Sequence, residues 1–301
     1  PAGLAGNVAI LSHSGGLCVG LLTDTRRFGF SHIVSSGNEA TVSAAAFLEY
    51  LLEDPHTAIV GGFIEAIREP ERFAAALNRA AALDKPVVMV KVGRHERTRR
   101  AIATHTGDPA AVSALLRAHG AIEVADIVEL AETLAAFQTA QRPPGRRLAV
   151  ITSSGGLAEL ILGIAAEIGV ELPPLSPAQK AEIGFVTGDG NPLDAWGSGT
   201  FAANLPLALK LFDASPAHDV IAFVRDNFDD QPFDAPETAR SYIDMFAAAA
   251  RRSAKPHCLL TTRPGGMDRA LVGVLREHGV AAVGGFREGL VAIDWLARNA
   301  K

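Results

Sequence analysis

Cysteine is scarce in this chain. Cys18 and Cys258 lie far apart with no metal-ligand spacing around either. That excludes a disulfide-stapled scaffold and a zinc finger, and suits a reducing compartment, so a cytoplasmic setting is expected. Aromatic residues make up only 6% of the 301 positions. Apolar runs such as Ala58-Ile-Val-Gly-Gly-Phe-Ile64 fall far short of the roughly 20 residues a spanning helix needs, and nothing reads as a signal peptide. The excess of acidic over basic residues, a formal charge of −5, argues against nucleic acid as a partner without excluding a local anion site. No His/Cys/Asp/Glu cluster has metal spacing, no GxxxxGK[ST] loop is present, and no GxGxxG follows the first strand. The chain opens on Pro1 without an initiator Met, which reads as a piece of a longer polypeptide.

What the chain does have is length and apolar content, 301 residues with 48% hydrophobic, enough for two cores. Short apolar runs alternate with amphipathic stretches. Asn7–Ser12 reads as a strand, Ser14–Gly29 as a helix, then Phe30–Asn38, Thr41–Asp54, Thr57–Glu65, Glu69–Asp84 and Lys85–Gly93 continue the alternation. Strands and helices of these lengths predict a parallel sheet covered on both faces. A Pro/Gly- and Arg-rich stretch, 141–147, reads as a linker, after which the pattern restarts. NVAILSHSGGL (7–17) aligns with LAVITSSGGL (148–157), DKPVVMVKVG with AKPHCLLTTR, and LLRAHGAIEV (115–124) with VLREHGVAAV (274–283). Three matches in the same order mark an internal duplication. The expected architecture is α/β: two tandem flavodoxin-like, doubly wound parallel-sheet domains, at 1–140 and 148–301.

Ligands of such sheets bind beyond the carboxyl ends of the strands. Ser12-His-Ser-Gly-Gly16 stands there, at a helix N-terminus whose free N–H groups and dipole favour an anion. Ser12, Ser14, Gly15 and Gly16 are the candidate phosphate ligands; a plain strand-to-helix turn would use the same residues. Thr152–Gly156 repeats the device. Glu65 follows the third strand at the same end, where its carboxylate could orient an imidazole, or simply be solvated. His105 lies in the loop after the fourth strand, downstream of Arg94, Arg97, Arg99 and Arg100 and two residues before Gly107. Such a His is a phosphoryl nucleophile or a surface-loop side chain. His119 and His278 precede Gly at helix ends and read as caps.

The stretches GNVAILSHSGGL, GFSHIVSSGNEATV, LEYLLEDPHTAIVGGFIEAIREPERF, KPVVMVKVGR, ATHTGD and GNPLD together resemble the NDP-forming acyl-CoA synthetases, the superfamily of succinyl-CoA synthetase and ADP-forming acetyl-CoA synthetase. The resemblance implies an acid–thiol ligase that joins a carboxylic acid to CoA at the expense of ATP, giving ADP and phosphate through a phosphohistidine and an acyl phosphate. It implies His105 as the phosphoryl carrier, Glu65 as its partner, and Ser12, Ser14, Gly15, Gly16 and Gly107 around the phosphate. It also implies that CoA, ATP/ADP and Mg2+ are bound by a CoA-binding domain and an ATP-grasp domain or subunit outside this chain. The 301 residues would then be an inactive fragment by themselves, a part of an oligomer. The chain departs from the family pattern at Thr104 (usually Ser), at Asp108-Pro109-Ala110 and at His13 (usually Gln). These departures leave open a second reading, a non-catalytic acyl-CoA-sensing or assembly module. A flavin-binding module fits less well, since SHSGG is not a typical flavin phosphate loop.

Overall fold

The computed structural model describes residues 5–23, 28–90, 108–138, 141–186, 188–197, 200–228 and 235–299. The chain divides into two units, Pro1–Leu134 and Ala135–Lys301, each built on one five-stranded parallel sheet.

In the first unit the strands are β1 (Ala5–Ser12), β2 (Phe30–Ser35), β3 (Ile59–Phe63), β4 (Val87–Val90) and β5 (Ile122–Val124), in the order β2-β1-β3-β4-β5. Helices α1 (Gly15–Thr23), α2 (Ala44–Glu53), α3 (Pro70–Ala82), α4 (Pro109–Ala118) and α5 (Ile127–Gln138) connect or follow them. Alternation along each strand sorts the core. Ala9, Leu11, Val60 and Met89 pack with Leu48, Leu52, Phe73, Leu77 and Leu116 of α2, α3 and α4. On the opposite face a Cβ at Gly61 would stand 2.7 Å from the Leu134 side chain of α5. Gly62 is constrained on the other side: its Cβ would lie 2.0 Å from the Leu11 carbonyl oxygen. The Gly-Gly pair is therefore a packing requirement of the central strand.

The second unit contains β6 (Leu148–Thr152), β7 (Leu193–Asp194), β8 (Val220–Val224), β9 (His257–Thr261) and β10 (Ala281–Gly284), ordered β10-β9-β8-β6-β7. Renumbered from its own first strand, this is the order of the first unit. Its helices are α6 (Gly155–Ile168), α7 (Pro177–Ile183), α8 (Phe201–Ala214), α9 (Pro236–Arg252), α10 (Arg269–Glu277) and α11 (Phe286–Arg298). β6, β8 and β9 are buried at every position, the pattern of strands covered on both faces. Ala149, Ile151, Ile221, Phe223 and Leu259 meet α8, α9 and α10. Leu148, Val150, Ala222 and Leu260 meet α6 and α11.

The 141–147 stretch, expected to be a linker, is bonded into the second unit. Arg146 pairs with Asp294 at 2.7 Å and Arg147 with Asp219 at 2.6 Å. Arg142 donates to the Asn299 carbonyl. Gly145 is fitted so tightly that a Cβ would meet the Asp219 carboxylate at 2.3 Å. Arg146 and Arg147 are thus paired with carboxylates, and Arg142 with a backbone carbonyl.

Candidate phosphoryl-transfer site

Register places the site. Ser12 of β1 is paired with Phe63 of β3, and Phe63 with Val90 of β4. The three strands end level with one another. The turn that starts α1 and the segment carrying Glu65 depart from this end of the sheet, and β4 ends there at Val90. His105 and Gly107 themselves lie outside the described residues.

The α1 turn is held by its own polar groups. The Ser12 hydroxyl, fully buried, donates to the Ser14 carbonyl and accepts from the Ser14 N–H, both at 3.0 Å. Ser12 therefore shapes the turn and turns its hydroxyl inward. Ser14 is the capping residue, its Oγ 3.4 Å from the Leu17 N–H. Gly15 and Gly16 are exposed in the first turn, where backbone N–H groups lack intrahelical acceptors. A Cβ on Gly15 would meet nothing closer than the Ser35 Oγ at 3.5 Å, and one on Gly16 nothing closer than the Ser14 Oγ at 3.7 Å. Protein packing does not demand glycine at either position. The bare backbone faces outward, open to an anion.

Glu65 lies two residues beyond β3, half-buried. Its backbone N–H donates to His13 Nδ1 at 3.1 Å. On the other side of that ring, Nε2 lies 2.5 Å from Glu39 Oε1. An Nδ1 that accepts leaves Nε2 to carry the proton, so the ring sits as the Nε2–H tautomer with Glu39 as acceptor. The His13 side chain is 8% exposed and that of Glu39 is 1% exposed. The second Glu39 oxygen is 3.9 Å from the Arg68 guanidinium, which also donates to the Asn38 carbonyl. Glu39 adopts a left-handed backbone, φ 52°, an uncommon conformation for a side-chain-bearing residue. Neither His13 nor Glu39 has a role that the sequence alone shows. A His in the turn and a Glu just after Gly37-Asn38 were visible, but nothing in their spacing said that the β2–α2 loop folds back over the α1 turn.

Asp108, one of the departures from the family pattern, is the N-cap of α4. Its Oδ1 accepts the Ala110 N–H at 2.9 Å, and Pro109 takes the first helical position. That carboxylate is committed to starting a helix. His119 and His278 take the C-cap positions; the His278 ring reaches the Val274 carbonyl at 2.9 Å, whereas the His119 ring pairs with the Asn78 side chain. In the second unit the Thr152–Gly156 turn again starts a helix, but an acidic side chain attends it. Asp194 Oδ2 lies 3.7 Å from where a Gly155 Cβ would stand, and Oδ1 accepts the Trp196 N–H at 2.9 Å. A carboxylate there already complements the helix dipole. Neither cysteine is reactive by environment: burial raises the Cys18 thiol and pushes Cys258 up to about 12.

Residues 5–137 match the family model of the succinyl-CoA ligase-like flavodoxin domain. A trans-feruloyl-CoA synthase of an unknown prokaryotic organism is 34% identical over 197 residues, 62% of this chain and 28% of that protein. The alpha subunit of ADP-forming acetate–CoA ligase I of Pyrococcus furiosus is 30% identical over 175 residues, 56% of this chain and 38% of the relative. The chain thus spans roughly a quarter to two fifths of these curated relatives. Among solved structures, the dinucleotide-forming acetyl-coenzyme A synthetase 1 of Ca. Korarchaeum cryptofilum, in complex with phosphate and ADP, superimposes with a TM-score of 0.79 at 24% identity, over 97% of this chain and 64% of that one. That likeness extends the shared fold across both units. The first unit thus carries the likeness to the succinyl-CoA ligase-like flavodoxin domain over residues 5–137, and the fold of the solved neighbour runs through both units.

Proposed function

We propose that the chain is the phosphoryl-carrying part of an ADP-forming acyl-CoA synthetase, with His105 as carrier. The observation that supports this most directly is the level ending of β1, β3 and β4, which puts the open α1 N-terminus and Glu65 at one end of the sheet. In the proposed sequence an imidazole nitrogen of His105 attacks the terminal phosphorus of ATP and ADP leaves. A carboxylate oxygen of the acid then attacks that phosphorus, and the P–N bond breaks to give an acyl phosphate. The CoA sulfur attacks the acyl carbon, phosphate leaves, and the thiol proton passes to solvent or base. Glu65 orients the imidazole and balances its cation; its carboxylate has no other side-chain partner among the described residues. The exposed Gly15 and Gly16 amides, with Ser14 and Gly107, hold the phosphoryl oxygens, and preorganised N–H groups suit the charge developing there. ATP with Mg2+, and CoA, are substrates taken by modules outside this chain, which acts in the cytoplasm as part of a larger assembly.

The test is labelling with γ-labelled ATP in the presence of the nucleotide- and CoA-binding modules. One base-stable, acid-labile phosphoryl group is expected on His105. His105→Ala should abolish labelling and turnover with the fold intact, and Glu65→Gln should slow transfer by about 10²–10⁴-fold. Normal labelling of His105→Ala would sink the carrier assignment and favour the non-catalytic sensing module.

A further inference from the structure

A groove of about 490 Å³ opens in the second unit, lined by α8, α9 and the start of β9. It lies at the amino end of that sheet, opposite the edge where the Thr152–Gly156 turn starts α6. Each helix contributes one face. Pro206, Leu209, Lys210 and Asp213 recur at intervals of three and four along α8, and Met245, Ala248, Ala249 and Arg252 do the same along α9, the spacing of a single helical stripe. His257, the first residue of β9, closes the end.

His257 is the unusual member. It is 3% exposed. Its Nδ1–H donates to the Lys255 carbonyl at 2.9 Å, so Nε2 presents a lone pair, and Nε2 has no partner. A buried acceptor without a donor costs free energy that a ligand O–H or N–H would recover. Burial holds this imidazole below its ordinary range, with the Lys255 carbonyl opposing, so the acceptor form prevails at neutral pH. Lys210 and Arg252 are exposed at the rim, and neither forms an ion pair among the described residues. The walls between carry Leu209, Met245, Ala248 and Ala249. Asp213 already accepts the Ser253 hydroxyl, which directs a ligand's negative group to the cationic side.

We propose that this groove binds a small hydroxylated carboxylic acid, its carboxylate at Lys210 and Arg252, its apolar body between Leu209, Met245 and Ala249, and its hydroxyl donating to His257 Nε2. The site shares no residue with the phosphoryl-transfer site and stands whether or not that reading holds. The probe is 3-(4-hydroxyphenyl)propanoate, titrated calorimetrically into the whole chain. 3-Phenylpropanoate removes the hydroxyl, and 4-(3-hydroxypropyl)phenol removes the charge. The full probe should bind about 10-fold more tightly than either. His257→Phe should erase the advantage over 3-phenylpropanoate only, and Lys210→Ala with Arg252→Ala the advantage over the neutral alcohol only. The native protein gives a check that needs no variant: the His257 Nε2 nitrogen resonance should move with the full probe and stay with the deoxy one. No binding at millimolar probe, or equal binding of all three compounds, overturns the assignment. So does self-association through this face, seen as a dimer that Met245→Glu dissociates.

Discussion

At the scale of single residues, the decisive arrangement is the line Glu39–His13–Glu65. A buried carboxylate, an imidazole and a backbone amide are joined by contacts of 2.5 and 3.1 Å, with no ring nitrogen left over. The imidazole fixes where the chain leaves β3, and so where the Glu65 side chain starts. His13→Leu fills similar space but strands the Glu39 carboxylate, and leaving a buried acceptor without its donor costs about 1–3 kcal/mol, more where it is charged. His13→Gln can offer an amide oxygen to Glu65 and an amide N–H to Glu39, and should cost less than about 1 kcal/mol. Urea denaturation of the two variants makes the comparison. Equal midpoints would mean that Arg68 satisfies Glu39 without the ring. The place of Glu65 at the carboxyl end of β3 was legible because it follows a strand whose end is predictable. Glu39 was not, because its role depends on a left-handed residue in a loop, and no periodicity reports that.

Among elements, the strands and helices were largely legible because both sheets are parallel and doubly covered, so each strand is a short apolar run with turn residues at its ends. β7 was not. It has two residues, Leu193–Asp194, and the GNPLD segment reads as a turn. Its neighbour explains how so short a strand serves. The Asn191 side chain, 2% exposed, accepts the Val150 N–H and donates to the Leu148 and Pro173 carbonyls, each at 2.9 Å. An amide side chain thus completes the β6 edge below the two-residue ladder that Ile151 and Thr152 form with β7. Asn191→Ala leaves those backbone groups buried and unpaired, at a cost of about 2–4 kcal/mol. Asn191→Asp keeps the acceptor but loses both donors and buries a charge, so it should be worse. Thermal melts of the two variants against the parent test the order. A Tm for Asn191→Asp at or above that of Asn191→Ala would show that the carboxylate finds another donor.

For the whole molecule, the duplication gives two sheets of one order that differ in buried titratable groups. The first unit carries its buried His with a carboxylate partner; the second holds two imidazoles against neutral groups. His218 donates from Nε2 to the Pro173 carbonyl at 3.0 Å and accepts the Ser215 hydroxyl at Nδ1. His257 donates to the Lys255 carbonyl. Burial lowers both pKa values, outweighing the carbonyl contacts, with Lys255 adding to the effect. In the unfolded chain each ring takes up a proton near pH 6.5; in the fold each resists until lower pH. Between those values the unfolded state binds more protons, so stability is fully present above about pH 6.5 and declines as pH falls below it. Asp219 works in a separate window. Its hydrogen bonds from Arg147 hold its carboxyl below the usual range, so its contribution persists until pH falls below about 4, the unfolded carboxyl value. Acidification from pH 7.5 to 5.5 should therefore weaken the second unit through its histidines alone. Hydrogen exchange in β8 and β9, corrected for intrinsic rate, should lose protection over that interval. His218→Gln, which can keep a donor to Pro173 and an acceptor for Ser215, should reduce the loss. Unchanged protection in β8 and β9 at pH 5.5, or a loss that His218→Gln leaves intact, would place the acid-sensitive groups elsewhere.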